Sequence, residues 1–202
     1  MKNAIILLIM IIGLILYSGC TSPETGTELK HAKPYRIIGE GNLANEEENR
    51  TGGLWYITSD EATGFEEYAQ TAIQAVCYLY YRHGRDHTSV MLIASDTVKT
   101  PYATASYAAD GKGALGMTGS APAYEMYWRV QATDRKLMEQ ELAIAELWSE
   151  KQLDFPSKNP LSSLSYDEEA LRQYIADALD IPYNEVKPPE LPMEDYEFDE
   201  RL

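Results

Sequence analysis

Cysteine, histidine and positive charge are all scarce in this chain. Its 202 residues hold two cysteines and three histidines, and 17 lysines and arginines stand against 32 acids. Each shortage excludes something. Two cysteines cannot build the disulfide framework on which small secreted scaffolds depend. A formal net charge of −15 repels the phosphates of DNA and RNA, which are bound by positive charge, so nucleic acid is not an expected partner. Long apolar runs are also lacking, except Ala4 to Leu16. As a helix rising ~1.5 Å per residue, that run covers about 20 Å and falls short of the ~30 Å hydrocarbon core of a bilayer. There is no internal repeat.

What is there begins with the leader. Met1-Lys2-Asn3, the apolar run and Tyr17-Ser18-Gly19 together read as a secretory signal over residues 1–19. Ser18-Gly19-Cys20 resembles the lipobox of prokaryotic lipoproteins, although Tyr17 stands where an aliphatic residue is usual. The resemblance implies cleavage before Cys20, a diacylglyceryl group on its sulfur, and a protein held on the cell membrane facing outside the cytoplasm. An uncleaved N-terminal anchor and a cleaved soluble chain are the other outcomes such a leader allows. Residues 20–34 are polar and without apolar periodicity, the composition of a tether. With Cys20 lipidated, Cys77 has no partner for a disulfide within the chain. Its neighbours Ala72, Ile73, Val76 and Tyr80 predict burial in a helix face.

The globular domain is expected over 35–183. Tyr35–Ile38, Gly53–Thr58, Ser89–Ala94, Thr104–Ala108 and the alternating stretch from Tyr124 to Gln131 read as strands. Phe65, Tyr68, Ala69, Ala72, Ile73, Val76 and Tyr80 recur at helical spacing, with Thr63 and Glu66 as a capping box and Gly84 as the stop. Two more helices are expected, from about Asp134 to Gln152 and from a second capping box at Ser165 and Glu168. The order predicts an α+β fold: a mostly antiparallel sheet of about five strands with helices packed on it. Residues 184–202, with Pro188, Pro189, Pro192 and seven nearly continuous acids and aromatics from Glu194, read as an acidic tail unstructured on its own.

Candidate chemistry is thin. Gly111-x-Gly113-x-x-Gly116 has the spacing of a dinucleotide loop, but such a loop must open into a helix, and Gly119 and Pro122 oppose one. Asp110-Gly111 is better explained as a tight turn. No cofactor is expected. His83, Asp86 and His87 approach a zinc set, but Gly84 breaks the helix between the histidines. Leu171 to Pro182 has the outline of a helix-turn-helix beginning, yet Asp167, Glu168, Glu169, Asp177 and Asp180 give it the wrong charge for DNA. No serine sits in a Gly-x-Ser-x-Gly setting. The aromatics Trp55, Tyr127 and Trp128 remain as possible ligand contacts for sugar rings or peptides, with ordinary sheet packing as the plainer role.

Ala103 to Gly116, with its Tyr107-Ala108-Ala109-Asp110-Gly111-Lys112-Gly113 core, resembles an uncharacterised prokaryotic family of small α+β domains that often follow a lipobox. The resemblance spans roughly Tyr35 to Thr133 and implies an envelope domain with no assigned catalytic residue. The reading that follows is a membrane-anchored binding module whose partner is an envelope protein or the cell wall. An envelope hydrolase acting on sugars or peptides, and an exclusion lipoprotein of a phage or mobile element, are the two other classes the same features allow.

Overall fold

The computed structural model of the protein describes residues 29–43, 49–113, 126–157, 166–198 and 201–202. Within them the chain runs β1 (Arg36–Asn42), β2 (Gly52–Thr58), α1 (Phe65–His83), β3 (His87–Ile93), β4 (Pro101–Ala108), β5 (Trp128–Ala132), α2 (Glu139–Lys151), α3 (Glu168–Leu179) and β6 (Glu194–Asp195). The strands form one sheet in sequence order, β1 to β6. Every neighbouring pair is antiparallel except β2 and β3. That exception follows from α1, because a parallel return needs a crossover of a dozen or more residues. The fold is α+β with a mostly antiparallel sheet, and its sixth strand is the one the sequence reading lacked.

Helix α1 fills one face of the sheet. Tyr68, Ala69, Ala72, Ile73, Val76 and Leu79 are buried against Trp55, Ile57, Val90, Leu92, Ala105, Tyr107 and Val130. The alanines let the helix approach closely, and each large aliphatic chain removed from water contributes about 1.5–3 kcal/mol. Gly84 ends the helix as expected, at φ 59° with its amide on the Tyr80 carbonyl. The start differs from the expected capping box. Gly64 is the N-cap, and the Thr63 amide and hydroxyl both donate to Glu67 at 2.9 and 3.1 Å. Glu66 is thereby left for Gln70, whose side-chain amide donates to it at 2.6 Å.

Burial on α1 reaches beyond one stripe, to Gln70, Thr71 and Cys77. Residues 29–35 explain part of it. The His31 amide donates to Gln70 Oε1 at 2.8 Å and the Lys33 amide to Thr71 Oγ1 at 2.9 Å, while Lys33 Nζ sits 2.9 Å from Glu67. The expected tether is thus part of the domain from Leu29 onward.

Helices α2 and α3 share a second, smaller core made of Ile144, Trp148, Leu171, Ile175, Ala176 and Val186. Helix α2 begins later than expected because Arg135 turns back to pair both oxygens of Glu141, at 2.7 and 2.9 Å. Asp167 caps α3 by accepting the Ala170 amide at 3.2 Å, as a short acceptor at this position does. The expected cap, Ser165, lies outside the described residues. Buried Leu171 and Ile175 make α3 a packing helix.

The tail expected to be unstructured is instead docked. The residues Tyr183–Glu185 form a 3-10 turn, Val186 is buried, and Glu194–Asp195 add to the sheet edge. The acidic composition concealed two aromatic anchors, Tyr196 and Phe198, both half-buried against the main core.

Candidate functional site

The residues singled out from the sequence go to different places. Cys20 lies outside the described residues. Trp55 is buried, 2% exposed, and its indole covers Gly53 and meets the His83 ring at a 30° tilt with ring centres 5.2 Å apart. It belongs to the core and is not a surface contact. Trp128 is also core, at 8% exposure. Tyr127 is half-buried and packs over Gly111, whose φ is 68°. An exposed three-ring platform therefore does not exist.

Trp128 and Tyr127 instead line a groove between α1 and β5, and the chain's own residues 194–198 and 201–202 occupy it. Strand β5 offers its edge: Gln131 faces Asp195, Ala132 faces Glu194, and the Tyr196 amide donates to the Val130 carbonyl at 2.9 Å. Gln131 Nε2 donates to the Asp195 carboxylate at 2.8 Å. The Tyr196 hydroxyl donates to Glu66 at 2.9 Å and accepts from Gln70 Nε2 at 3.1 Å, and its ring lies 5.8 Å from that of Phe65. Phe198 meets Trp128 edge-on, with centres 4.9 Å apart. The Arg201 guanidinium lies 4.3 Å from the centre of the Tyr127 ring. At the far end, the Leu202 amide donates to the Tyr107 hydroxyl at 3.2 Å, and that hydroxyl donates to the Leu202 carbonyl at 3.3 Å. Burial raises the Tyr107 and Tyr196 phenols above their usual range, so both remain donors at neutral pH. This combines strand addition with side-chain pockets, the mode by which sheet edges take extended peptides.

A second polar cluster, at the start of β3, was not foreseen. Arg50 is 6% exposed. Its Nε lies 2.8 Å from Asp110, and its Nη2 donates to Asp110 Oδ1 and to the Gly113 carbonyl, each at 2.9 Å. The glycine stretch is thus shaped by the ion pair of buried Arg50 with the more exposed Asp110. Gly111 and Gly113 take positive φ, and the Lys112 amide donates to Asp110 at 3.1 Å. Gly116 lies outside the described residues. Asp86 accepts from the Thr51 amide and hydroxyl at 2.8 and 2.9 Å, contacts that hold its carboxyl below the usual range. His87 is 1% exposed, and its Nε2 lies 3.2 Å from Ser89 Oγ. Burial, assisted by Arg50, pushes its imidazole down to about 4. A histidine held neutral this firmly is a weak proton acceptor, so its contact with Ser89 is structural. His83, at the far end of α1, meets Trp55. Among the described residues no group of three or more His, Cys, Asp and Glu is disposed to hold a metal, and no helix is long and apolar enough to cross a membrane.

A groove of about 680 Å³ runs between α2 and residues 184–190, past Met138, Glu141, Ile144, Arg172, Glu185 and Lys187. Glu141 is held below the usual carboxylate range by Arg135, the opposite of what a general acid needs.

A family model described as Domain of unknown function (DUF4875) matches residues 30–191, beyond the Tyr35–Thr133 limits of the resemblance seen in the sequence. No curated protein matches the chain. The crystal structure of a DUF487 family protein from Desulfovibrio piger ATCC 29098 is similar, with 27% identity and a TM-score of 0.61 over 82% of this chain and 96% of that one. Segment 194–202 lies past the matched residues.

Proposed function

The chain belongs to the family described as Domain of unknown function (DUF4875), and from that premise we propose that it is a membrane-tethered module that binds an extended polypeptide. The observation that carries the reading is the groove between α1 and β5, whose backbone edge, phenols and rings hold an extended segment of the chain itself. A site that grips residues 194–198 and 201–202 has the chemistry to grip another segment of like pattern. The tether rests on Ser18-Gly19-Cys20. Two or more acyl chains at Cys20 hold stably where one does not, since each buried methylene adds ~0.8 kcal/mol. Cys20 lies close before Leu29, where the described domain starts, so an anchored copy stays near the membrane and faces the envelope.

Two measurements test this. The full chain, expressed in a bacterial host fed an alkyne fatty acid, should incorporate the label and sediment with membranes, and Cys20→Ser should lose the label and move to the soluble fraction. An intact Met1 by mass spectrometry, or unlabelled Cys20, refutes the tether. For binding, a synthetic peptide of residues 192–202 should compete with the chain's own segment and raise hydrogen exchange at residues 194–198. No change at saturating peptide refutes the groove.

A further inference from the structure

We propose that the segment beginning at Glu194 exchanges between two copies of this chain, each copy seating its residues 194–198 and 201–202 in the groove of the other. The proposal rests on the reading of that groove as a binding site and names its occupant in trans.

The groove selects for this segment by chemistry. Glu66 needs a hydrogen-bond donor opposite it, which the Tyr196 hydroxyl supplies at 2.9 Å. Gln131 takes the Asp195 carboxylate, Trp128 takes the Phe198 edge, and Tyr107 reads both the amide and the carbonyl of Leu202. An arbitrary acidic peptide satisfies one or two of these contacts. A second copy satisfies all of them, because an exchanged segment meets an identical groove.

The hinge suits exchange. Val186 is buried in the α2–α3 core, and between it and Glu194 lie Pro188, Pro189, Leu191 and Pro192, of which Leu191 packs on the main core and lets go when the segment leaves. Proline-rich chain is a semi-rigid spacer of about 3.1 Å per residue, so the seven intervening residues reach about 20 Å from the Val186 anchor. Closed and exchanged forms share their groove contacts, and they differ in the hinge path and in the entropy of association. Confinement to a membrane lowers that entropic cost by raising effective concentration. The groove is well placed for it. Gln70, which holds Tyr196, also holds the His31 amide, and the eleven residue-to-residue steps from Cys20 to His31 span at most about 40 Å. Grooves of anchored copies therefore lie in one shallow layer above the surface. The net charge of −15 opposes approach, but over separations beyond ~8–10 Å it is largely screened at physiological salt.

The test uses Gln131 and Asp195, which face each other across β5 and β6. Side chains at directly opposed positions lie near the span a disulfide needs. Two full-length chains with tags of different size are co-expressed, one carrying Gln131→Cys and the other Asp195→Cys, and membranes are oxidised mildly. Exchange predicts a reducible mixed dimer at least about ten-fold above the dimer formed by either variant alone. A single chain carrying both substitutions reports the closed form. If that chain closes internally while the mixed pair stays monomeric, exchange is overturned and the groove stands as a binding site. If neither arrangement forms a bond, the segment does not seat on β5 and the groove reading falls as well.

Discussion

At Gly53 the strand has no room for a methyl group. A Cβ there would lie 2.1 Å from the Trp55 ring, and that indole is fixed between the core and His83. Overpacking of this kind forces the ring off its rotamer at about 1–3 kcal/mol, so Gly53→Ala should lower the urea midpoint without changing its slope. His87 makes a pH prediction whose sign follows from burial. Its folded value is about 4, below the ~6.5 of an exposed histidine. Between those values the unfolded chain binds a proton that the folded chain excludes. Stability is therefore complete above pH 6.5 and is lost as pH falls towards 4, by about 3 kcal/mol in all. Urea unfolding at pH 7 and pH 4.5 should show the loss in the native chain, and His87→Gln should largely flatten it. An equal loss in that variant assigns the effect to other groups. Neither residue's role was readable beforehand. Gly53 looked like a strand boundary, and His87 looked like half of a failed metal pair, because the Trp55 ring folds back over Gly53 only in the assembled sheet and the charges that act on His87, Arg50 and Asp110, are remote from it in sequence.

Among the elements, legibility follows how locally each is decided. Helix α1 was clear because seven apolar residues repeat at helical spacing and Gly84 stops it. Strands β3 to β5 were clear because alternation and apolar runs are local signals. Strand β6 was not, since two acids, Glu194 and Asp195, pair only because Tyr196 and Phe198 dock on α1 and Trp128, more than sixty residues away in the chain. The same distance makes this segment the element to probe. Phe198→Ala removes the ring on Trp128, and Tyr196→Phe leaves Glu66 and Gln70 without the hydroxyl, a loss of about 1 kcal/mol. Combined, they should release segment 194–198 to fast amide exchange while the exchange of β2 and β3 amides stays slow. Slow exchange persisting at 194–198 would mean that backbone pairing alone holds the edge.

For the whole molecule, the α+β class was legible because the alternation of elements is a property of order alone, whereas the extent of the domain was not. Composition suggested a polar tether up to Pro34 and a solvated tail after Pro182, yet both flanks lie on α1. One amide joins them. Gln70 Oε1 accepts from His31 and its Nε2 donates to Tyr196. Gln70→Ala should therefore raise exchange at residues 31–33 and at 194–198 together, and a change confined to one side would show the two contacts to be independent. The clasp also sets a mechanical route. A load applied at residues 31–33 enters α1 at the turn where residue 196 is fastened, as well as passing through Pro34 and Ser59 to the end of β2. Tugging at one flank then loosens the grip on the other within a single helical turn, so strain in residues 31–33 and opening of the groove at residue 196 are mechanically coupled.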